Sequence, residues 1–395
     1  MEVWEDLRGR DVVVLSWRDT RNPEGGGAEL YLEKVTQGLI ARGCRVTVFT
    51  AAYDGAPVDE VVDGIRYVRR GTKLTVYLEG MRALRRGDLG DPDVVVDVQN
   101  GLPFFTRLVT RKPVVVLVHH VHREQWPVVY PGLTGRVGWW LESRFAPWLY
   151  RRSRYVSVSE ATREELGELG VDPARVTVVH NGTEPAPLTA PGKSPTPHVA
   201  VVGRLVPHKQ VEHAIDAVLA ARVVYPDLTL DIVGDGWWRD ELHAYAAARE
   251  AGDAVRFLGH VDEETKHDAY ERAWLLLLPS LKEGWGLVIG EAGMHHTPAI
   301  AYHSAGGTRE SIADGVSGVL VDDKVAFTAA LMELLGDDRR RRELGKEALS
   351  MSHAYSWERA QDGFAQVLCD VIHRRRPLRS LRSARQRERV PVGRR

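Results

Sequence analysis

The chain has 395 residues, with 53 Lys and Arg against 54 Asp and Glu, a formal net charge of −1 and a hydrophobic fraction of 44%. This is the composition of an ordinary folded protein of about two domains, and it excludes global disorder. Two cysteines, Cys44 and Cys369, are too few for a disulfide framework or a cysteine-held zinc site, and the balanced charge argues against a nucleic-acid binder.

The opening MEVWEDLRGR is polar, and the apolar run at residues 12–15 is far shorter than the roughly 7–15 residues of a signal-peptide core. No stretch reaches the roughly 18 apolar residues of a membrane span. The expected compartment is therefore the cytosol. Short β-branched runs then alternate with longer helical stretches. The runs are DVVVLSW (11–17), RVTVF (45–49), GIRYV (64–68), DVVVDV (93–98), PVVVLV (113–118), RYVSVS (154–159) and RVTVV (175–179). A helix is expected over 28–42, a Trp-rich one over about 134–152, and Ser159 is placed to cap the helix after its strand. Continuous apolar strands separated by helices predict a parallel sheet covered on both faces.

EPAPLTAPGKSPTP (184–197) holds five prolines and no apolar period, so it reads as a linker. The alternation then restarts with HVAVVG (198–203), LTLDIVG (228–234), AVRFLG (254–259), WLLLLP (274–279), PAIAY (298–302) and GVLV (318–321). The expected architecture is α/β, two doubly wound Rossmann-like domains whose strand ends face one cleft. The divisions are 1–184, linker 185–197, 198–355, a last helix over 356–373, and a tail over 374–395. That tail carries ten arginines and one glutamate, a net +9, so the rest of the chain carries −10. It reads as disordered, with contact to a membrane surface as the alternative to simple solvation.

Four segments carry chemistry. NPEGGGAEL (22–30) follows the first strand and opens a helix, where Gly26 and Gly27 let backbone amides approach a phosphate; the bland reading is a flexible turn. It is neither a Walker A loop nor a GxGxxG fingerprint. VGRLVPHK (202–209) brings Arg204 and Lys209 to the end of a strand, suited to a departing diphosphate, or else leaves two surface cations. KEGWGLVIGEAG (282–293) sets Glu283 and Glu291 with seven residues between them, the first at a loop tip and the second within a helix, with Gly284 and Gly286 in the turn. The carboxylates suit sugar hydroxyls, and the amides of residues 286–288 suit phosphate. Finally, His119 and His120 end a strand and His122 follows. Neighbouring strand residues point to opposite faces, and no zinc spacing is present, so one histidine acting as a hydrogen-bonding or proton-carrying group is preferred to a metal site.

Together these segments resemble glycosyltransferase family 4, the retaining, sugar-nucleotide-dependent transferases of GT-B fold, over about residues 11–373. The matching elements are GGAE at 26–29, His119, VSE at 158–160, Asn181-Gly182, GRLxPxK at 203–209, VGDG at 233–236, the Glu283/Glu291 pair and SWE at 356–358. The resemblance implies that Gly203, Arg204 and Lys209 hold the donor diphosphate, with Gly26 and Gly27 closing over it. Glu291 would bind ribose, and Glu283 the transferred sugar, helped by Gly284, Gly286, Leu287 and Val288. The base would rest near Gly259 and Val261, and His119 would face sugar and acceptor. His119, Glu283, Lys209 and Arg204 would then be the catalytic set, without metal or cofactor. The sequence departs from the family at His120 (often acidic), Gln210 (usually glycine), Trp237-Trp238 (commonly Gly-Pro) and Glu184 (commonly Asp).

The acceptor, a hydroxyl on a sugar, glycolipid or natural product, would meet the exposed loops carrying Trp17, Arg18 and Asp19 and His122 to Trp126, with His120 beside them. Trp139, Trp140 and Trp148 read either as core or as an aromatic, basic edge for an apolar acceptor. The competing classes are a GT-B epimerase, a phosphorylase and a silent sugar-nucleotide-binding protein. A monomer or homodimer is expected.

Overall fold

The computed structural model describes residues 7–186 and 192–373; the Arg-rich tail and part of the proline-rich linker lie outside the described residues. The first sheet comprises β1 (Asp11–Leu15), β2 (Arg45–Thr50), β3 (Asp59–Val62), β4 (Ile65–Arg69), β5 (Val94–Gln99), β6 (Val114–Val118), β7 (Arg154–Ser157) and β8 (Val176–Val178). Its order is β3-β4-β2-β1-β5-β6-β7-β8. The second comprises β9 (His198–Val202), β10 (Thr229–Val233), β11 (Val255–Gly259), β12 (Leu275–Leu278), β13 (Ala299–Tyr302) and β14 (Gly318–Val321), in the order β11-β10-β9-β12-β13-β14. Every pairing is parallel except β3 with β4. Both sheets are doubly wound, as expected. Their winding reverses beside β1 and β9, so the loops after these strands and their neighbours β5 and β12 border the ligand-binding crevices of such sheets.

The apolar runs became strands because both their faces are covered. β5, β6, β9, β12 and β13 are buried at every position. One element is missing from the sequence reading. The edge strand β3 is half exposed, too short and too polar to register as a strand. Its hairpin partner is set by Asp63-Gly64, both at positive φ (52° and 80°), the backbone of a type I′ turn. The Trp-rich helix is also not uniform: it runs Leu133–Trp140, widens into a π turn over Leu141–Phe145, and resumes over Ala146–Leu149.

The two halves are tied together at several points. The last helix, Trp357–His373, lies on Gly27–Ala41 of the first half, where Gln361 Nε2 donates to Lys34 O at 3.0 Å and Arg42 pairs with Asp362. Trp357, Phe364 and Leu368 of this helix, together with Trp285 of the second half, are buried in one cluster with Val12, Tyr31 and Val96 of the first. Glu310 reaches across to accept from the amides of Glu160 (2.9 Å) and Ala161 (3.0 Å) and faces His180 Nε2 at 3.1 Å. Those amides open the helix Glu160–Glu168, whose N-cap is Ser159, bonded to Thr162 N as the sequence suggested. A carboxylate at a helix N-terminus is stabilising. Lys282 and Glu165 form a further ion pair between the halves.

Candidate active site

β9 and β12 are neighbours, so the loops leaving them share one end of the second sheet. Lys209, in the 3₁₀ turn Pro207–Lys209, meets Glu283, in the loop after β12, at 2.6 Å from Nζ to Oε1. Glu283 is fixed from behind: its amide donates to Ala305 O at 2.7 Å, and its carbonyl accepts from Gly307 N at 3.0 Å. Gln210, where family members usually carry glycine, adopts φ 49° and ψ 41°, the left-handed region, at the start of the helix Val211–Ala221. A side chain there is strained, which accounts for a preference for glycine at that turn.

Arg204 crosses toward the first half. A Cβ placed on Gly26 would lie 2.6 Å from Arg204 Nη2, and one on Gly27 would lie 2.9 Å from Leu287 Cδ1. The two glycines thus let the start of the helix Gly27–Ala41 touch the opposite domain. Glu29 holds this loop, accepting from Gly26 N at 2.8 Å, while its other oxygen lies 3.4 Å from Arg18 Nε. Arg18 also bonds Glu24 at 3.1 Å. Burial, then the nearby Arg18, hold the proton affinity of Arg204 below the usual arginine value, with Glu29 and Glu24 pulling the other way. Arg18, expected beside the acceptor on an exposed loop, is instead buried, and its contacts with Glu24 and Glu29 brace the Gly26 loop next to Arg204.

Gly284 packs directly on the end of β6, and a Cβ there would lie 2.4 Å from His119 O. His119 is buried, edge-on to Tyr31 with centroids 5.3 Å apart, and its Nε2 has no hydrogen-bond partner among the described residues. Burial, reinforced by His122, drives its pKa down to about 3, so the imidazole is neutral near pH 7. His208, beside Lys209, is similarly lowered to about 4.

Glu291 lies in the helix Leu287–Gly293, as expected, and is held by two residues the sequence did not single out. Tyr270 OH donates to it at 2.7 Å, and Lys266 Nζ lies 3.5 Å away. Both come from the helix Glu263–Arg272. Gly286 begins the Glu291 helix at φ 87°. Val261 and Val288 pack on one apolar cluster, bringing the loop after β11 to the Glu291 helix. Gly259 ends β11, accepts from Gly234 N at 2.8 Å, and borders an open groove of about 440 Å³ that includes Leu205, Gly234 and Phe257. Gly203 leaves β9 at φ 148°, its amide bonded to Val233 O at 2.9 Å.

The acceptor-side candidates separate. Asp19 is buried and bound to fully buried Arg69 at 2.6 Å, an internal ion pair. Trp17 is half-buried between the cations of Arg18 (4.3 Å) and Lys73 (5.1 Å). His120 stacks on His122 with centroids 4.2 Å apart and bonds Gln125 at 3.0 Å. Fully buried Glu142, at the π turn, receives His122 N (3.1 Å) and Trp126 Nε1 (2.5 Å), and lies 3.2 Å from His122 Nδ1. No group of three or more His, Cys, Asp or Glu among the described residues is arranged to hold a metal.

Residues 25–186 match the Glycosyltransferase Family 4 pattern, and residues 189–351 that of Glycosyl transferases group 1. The D-inositol 3-phosphate glycosyltransferase of Geodermatophilus obscurus is 30% identical, over 86% of this chain and 83% of its own. The chain belongs to glycosyltransferase family 4. The transferase also resembles, at 20% identity and a TM-score of 0.78, the sucrose-phosphate synthase of Thermosynechococcus elongatus, covering 92% of this chain and 100% of the other. Anabaena HepE, solved with UDP-glucose, superimposes with a TM-score of 0.71 at 19% identity, over 91% and 100%. The two facing sheets are thus the GT-B fold, and the transferase is a hexosyltransferase-type enzyme. The epimerase and silent-binder alternatives find no support among these relatives.

Proposed function

We propose that this transferase moves a hexose, with retention of anomeric configuration, from a UDP- or GDP-linked donor to a hydroxyl acceptor without a metal ion. The observation that carries this reading is the convergence on the interdomain cleft of the Lys209–Glu283 pair, on the loops after β9 and β12, and of Arg204, which meets the Gly26 loop of the opposite domain. When the donor's C1–O bond breaks, the leaving diphosphate gains negative charge. Arg204 and Lys209, with the amides of residues 286–288 and the Gly26–Gly27 turn, neutralise that charge from fixed positions. A new bond forms from the acceptor oxygen to C1 on the same face, and the acceptor proton passes to a phosphate oxygen of the departing nucleotide. Glu283 orients hydroxyls of the transferred sugar, Glu291 those of the ribose, and the groove beside Gly259 receives the base. His119 is neutral, so it hydrogen-bonds to sugar or acceptor and does not serve as a standing cation.

We place the acceptor on the first-domain edge near Trp17, His120 and His122, since Asp19 is taken up by its internal pair with Arg69. A polyol or sugar hydroxyl fits this reading and the name of the inositol-phosphate relative. No helix among the described residues is long and apolar enough to cross a membrane. A cytoplasmic monomer or homodimer, with peripheral membrane contact through the tail at 374–395, completes the proposal. The test is incubation with UDP-, GDP-, ADP- and dTDP-sugars, reading donor hydrolysis and thermal shift. Hydrolysis and stabilisation with a UDP- or GDP-sugar, unaffected by EDTA, are expected; no response to either donor class overturns the reading.

A further inference from the structure

The helix that follows the cleft histidines has an outer face that the transfer chemistry leaves unused. Leu133 (76% exposed), Val137 (49%), Trp140 (54%) and Trp148 (58%) all face outward. Residues eight apart on an ideal α-helix are rotated by about 80°. The π turn over Leu141–Phe145 adds a residue to that stretch, and Trp140 and Trp148 come to flank Phe145 in one stack. The Trp140–Phe145 centroids are 6.1 Å apart at an interplanar angle of 17°, and the Phe145–Trp148 centroids are 5.8 Å apart at 28°. The same π turn directs Glu142 inward, where it is fully buried.

The consequence for charge is one-sided. Glu142 is the only acidic residue over 131–154, whereas Arg136, Arg144, Arg151 and Arg152 are exposed. Four outward cations with no outward anion stand on a chain that carries −10 outside its tail. Exposed tryptophans bordered by arginines suit the boundary between lipid headgroups and acyl chains, where amphipathic rings and cations are both favoured.

We propose that this face docks the first domain on an anionic membrane surface. Glu142 links the docking helix to His122 and Trp126, so a docked enzyme presents the acceptor edge of its cleft to the lipid–water boundary. The inference does not rest on the identity of the donor, and it concerns a folded surface separate from the tail.

The test uses the full chain throughout, so that the tail contributes equally to every arm. Partitioning is measured on vesicles of phosphatidylcholine with about one-third phosphatidylglycerol, against pure phosphatidylcholine. Trp140→Ser with Trp148→Ser, and separately Arg144→Glu with Arg151→Glu, are each expected to weaken binding to the anionic vesicles at least ~10-fold, given roughly 1 kcal/mol per interfacial cation. Donor hydrolysis in solution should be unchanged, because none of the four residues lies in the donor site. Wild-type partitioning by either double variant overturns the proposal. A fluorophore on Val137→Cys gives a second readout, since Cys44 and Cys369 are buried. A blue shift on anionic vesicles is expected; no shift, or concentration-dependent dimerisation that accounts for the shift without vesicles, overturns it.

Discussion

Lys209 and Glu283 are each other's counter-ions, 2.6 Å apart, with side chains 23% and 10% exposed. The pair holds the cation and the carboxylate at the mouth of the cleft on two adjacent loops. A donor must therefore engage groups that already interact.

Lys209→Ala and Glu283→Ala are each expected to reduce transfer by roughly 10²–10³-fold, the scale for losing one fixed stabilising group. The double variant should lose less than the product of the two, because residues in direct contact are not additive. Steady-state kinetics with thermal melts check this. Near-wild-type turnover by either folded single variant would remove that residue from the mechanism.

Gly26→Ala should interfere with function rather than folding. The added methyl would lie 2.6 Å from Arg204 Nη2, while Gly26 itself has extended backbone at φ −163°. The expectation is weaker donor binding with little change in melting temperature. Isothermal titration with UDP or GDP separates this from simple destabilisation; unchanged affinity and activity would show that the two halves need not approach so closely.

The buried histidines set an acid limit. His119 and His208 titrate near 3 and 4 in the folded protein, against 6.5 when exposed. The unfolded chain therefore binds more protons in this range, and stability must fall as pH drops below about 6.5, continuing toward the folded values. Melting curves from pH 7.5 to 4.5 should show this decline, and it should be shallower in His208→Asn. Parallel profiles for wild type and variant would contradict the burial argument.

Glu310 is expected to act as a latch between the halves. Burial raises its proton affinity, but His180 and the amides of Glu160 and Ala161 outweigh this and leave its pKa below the ordinary value. Its stabilising contact is thus present at neutral pH and lost as the carboxylate protonates. Glu310→Gln should widen the distribution of interdomain distances seen by small-angle scattering and raise KM for the donor. An unchanged scattering profile with unchanged KM would show that other contacts suffice.

Much of the fold was legible because buried parallel strands are written as continuous apolar runs, such as 94–98 and 275–278. The GVLV strand matched to the residue. β3 escaped because an exposed edge strand has no such run; only Asp63-Gly64 hinted at its hairpin. Within the site, the loops could be located because glycines and charges follow strand ends. Tyr270 and Lys266 were invisible, since each works through a partner far away in sequence, and Arg18 was expected beside the acceptor rather than bracing the Gly26 loop. The helical spacing of Trp140 and Trp148 favoured core packing, yet both are exposed. It took the π turn, which no residue pattern announces, to place them outside.

The helix Trp357–His373 also bears on how the protein is made. Its Trp357, Phe364 and Leu368 complete a cluster begun by Val12 and Tyr31. The amino-terminal domain therefore leaves the ribosome with part of its interior unfilled, and residues 357–373, translated after the whole second sheet, supply the missing wall. Until then, apolar surface on Gly27–Ala41 is open to chaperones and to misassociation. The carboxyl-terminal domain has its own separate clusters, so the half synthesised later can finish folding first.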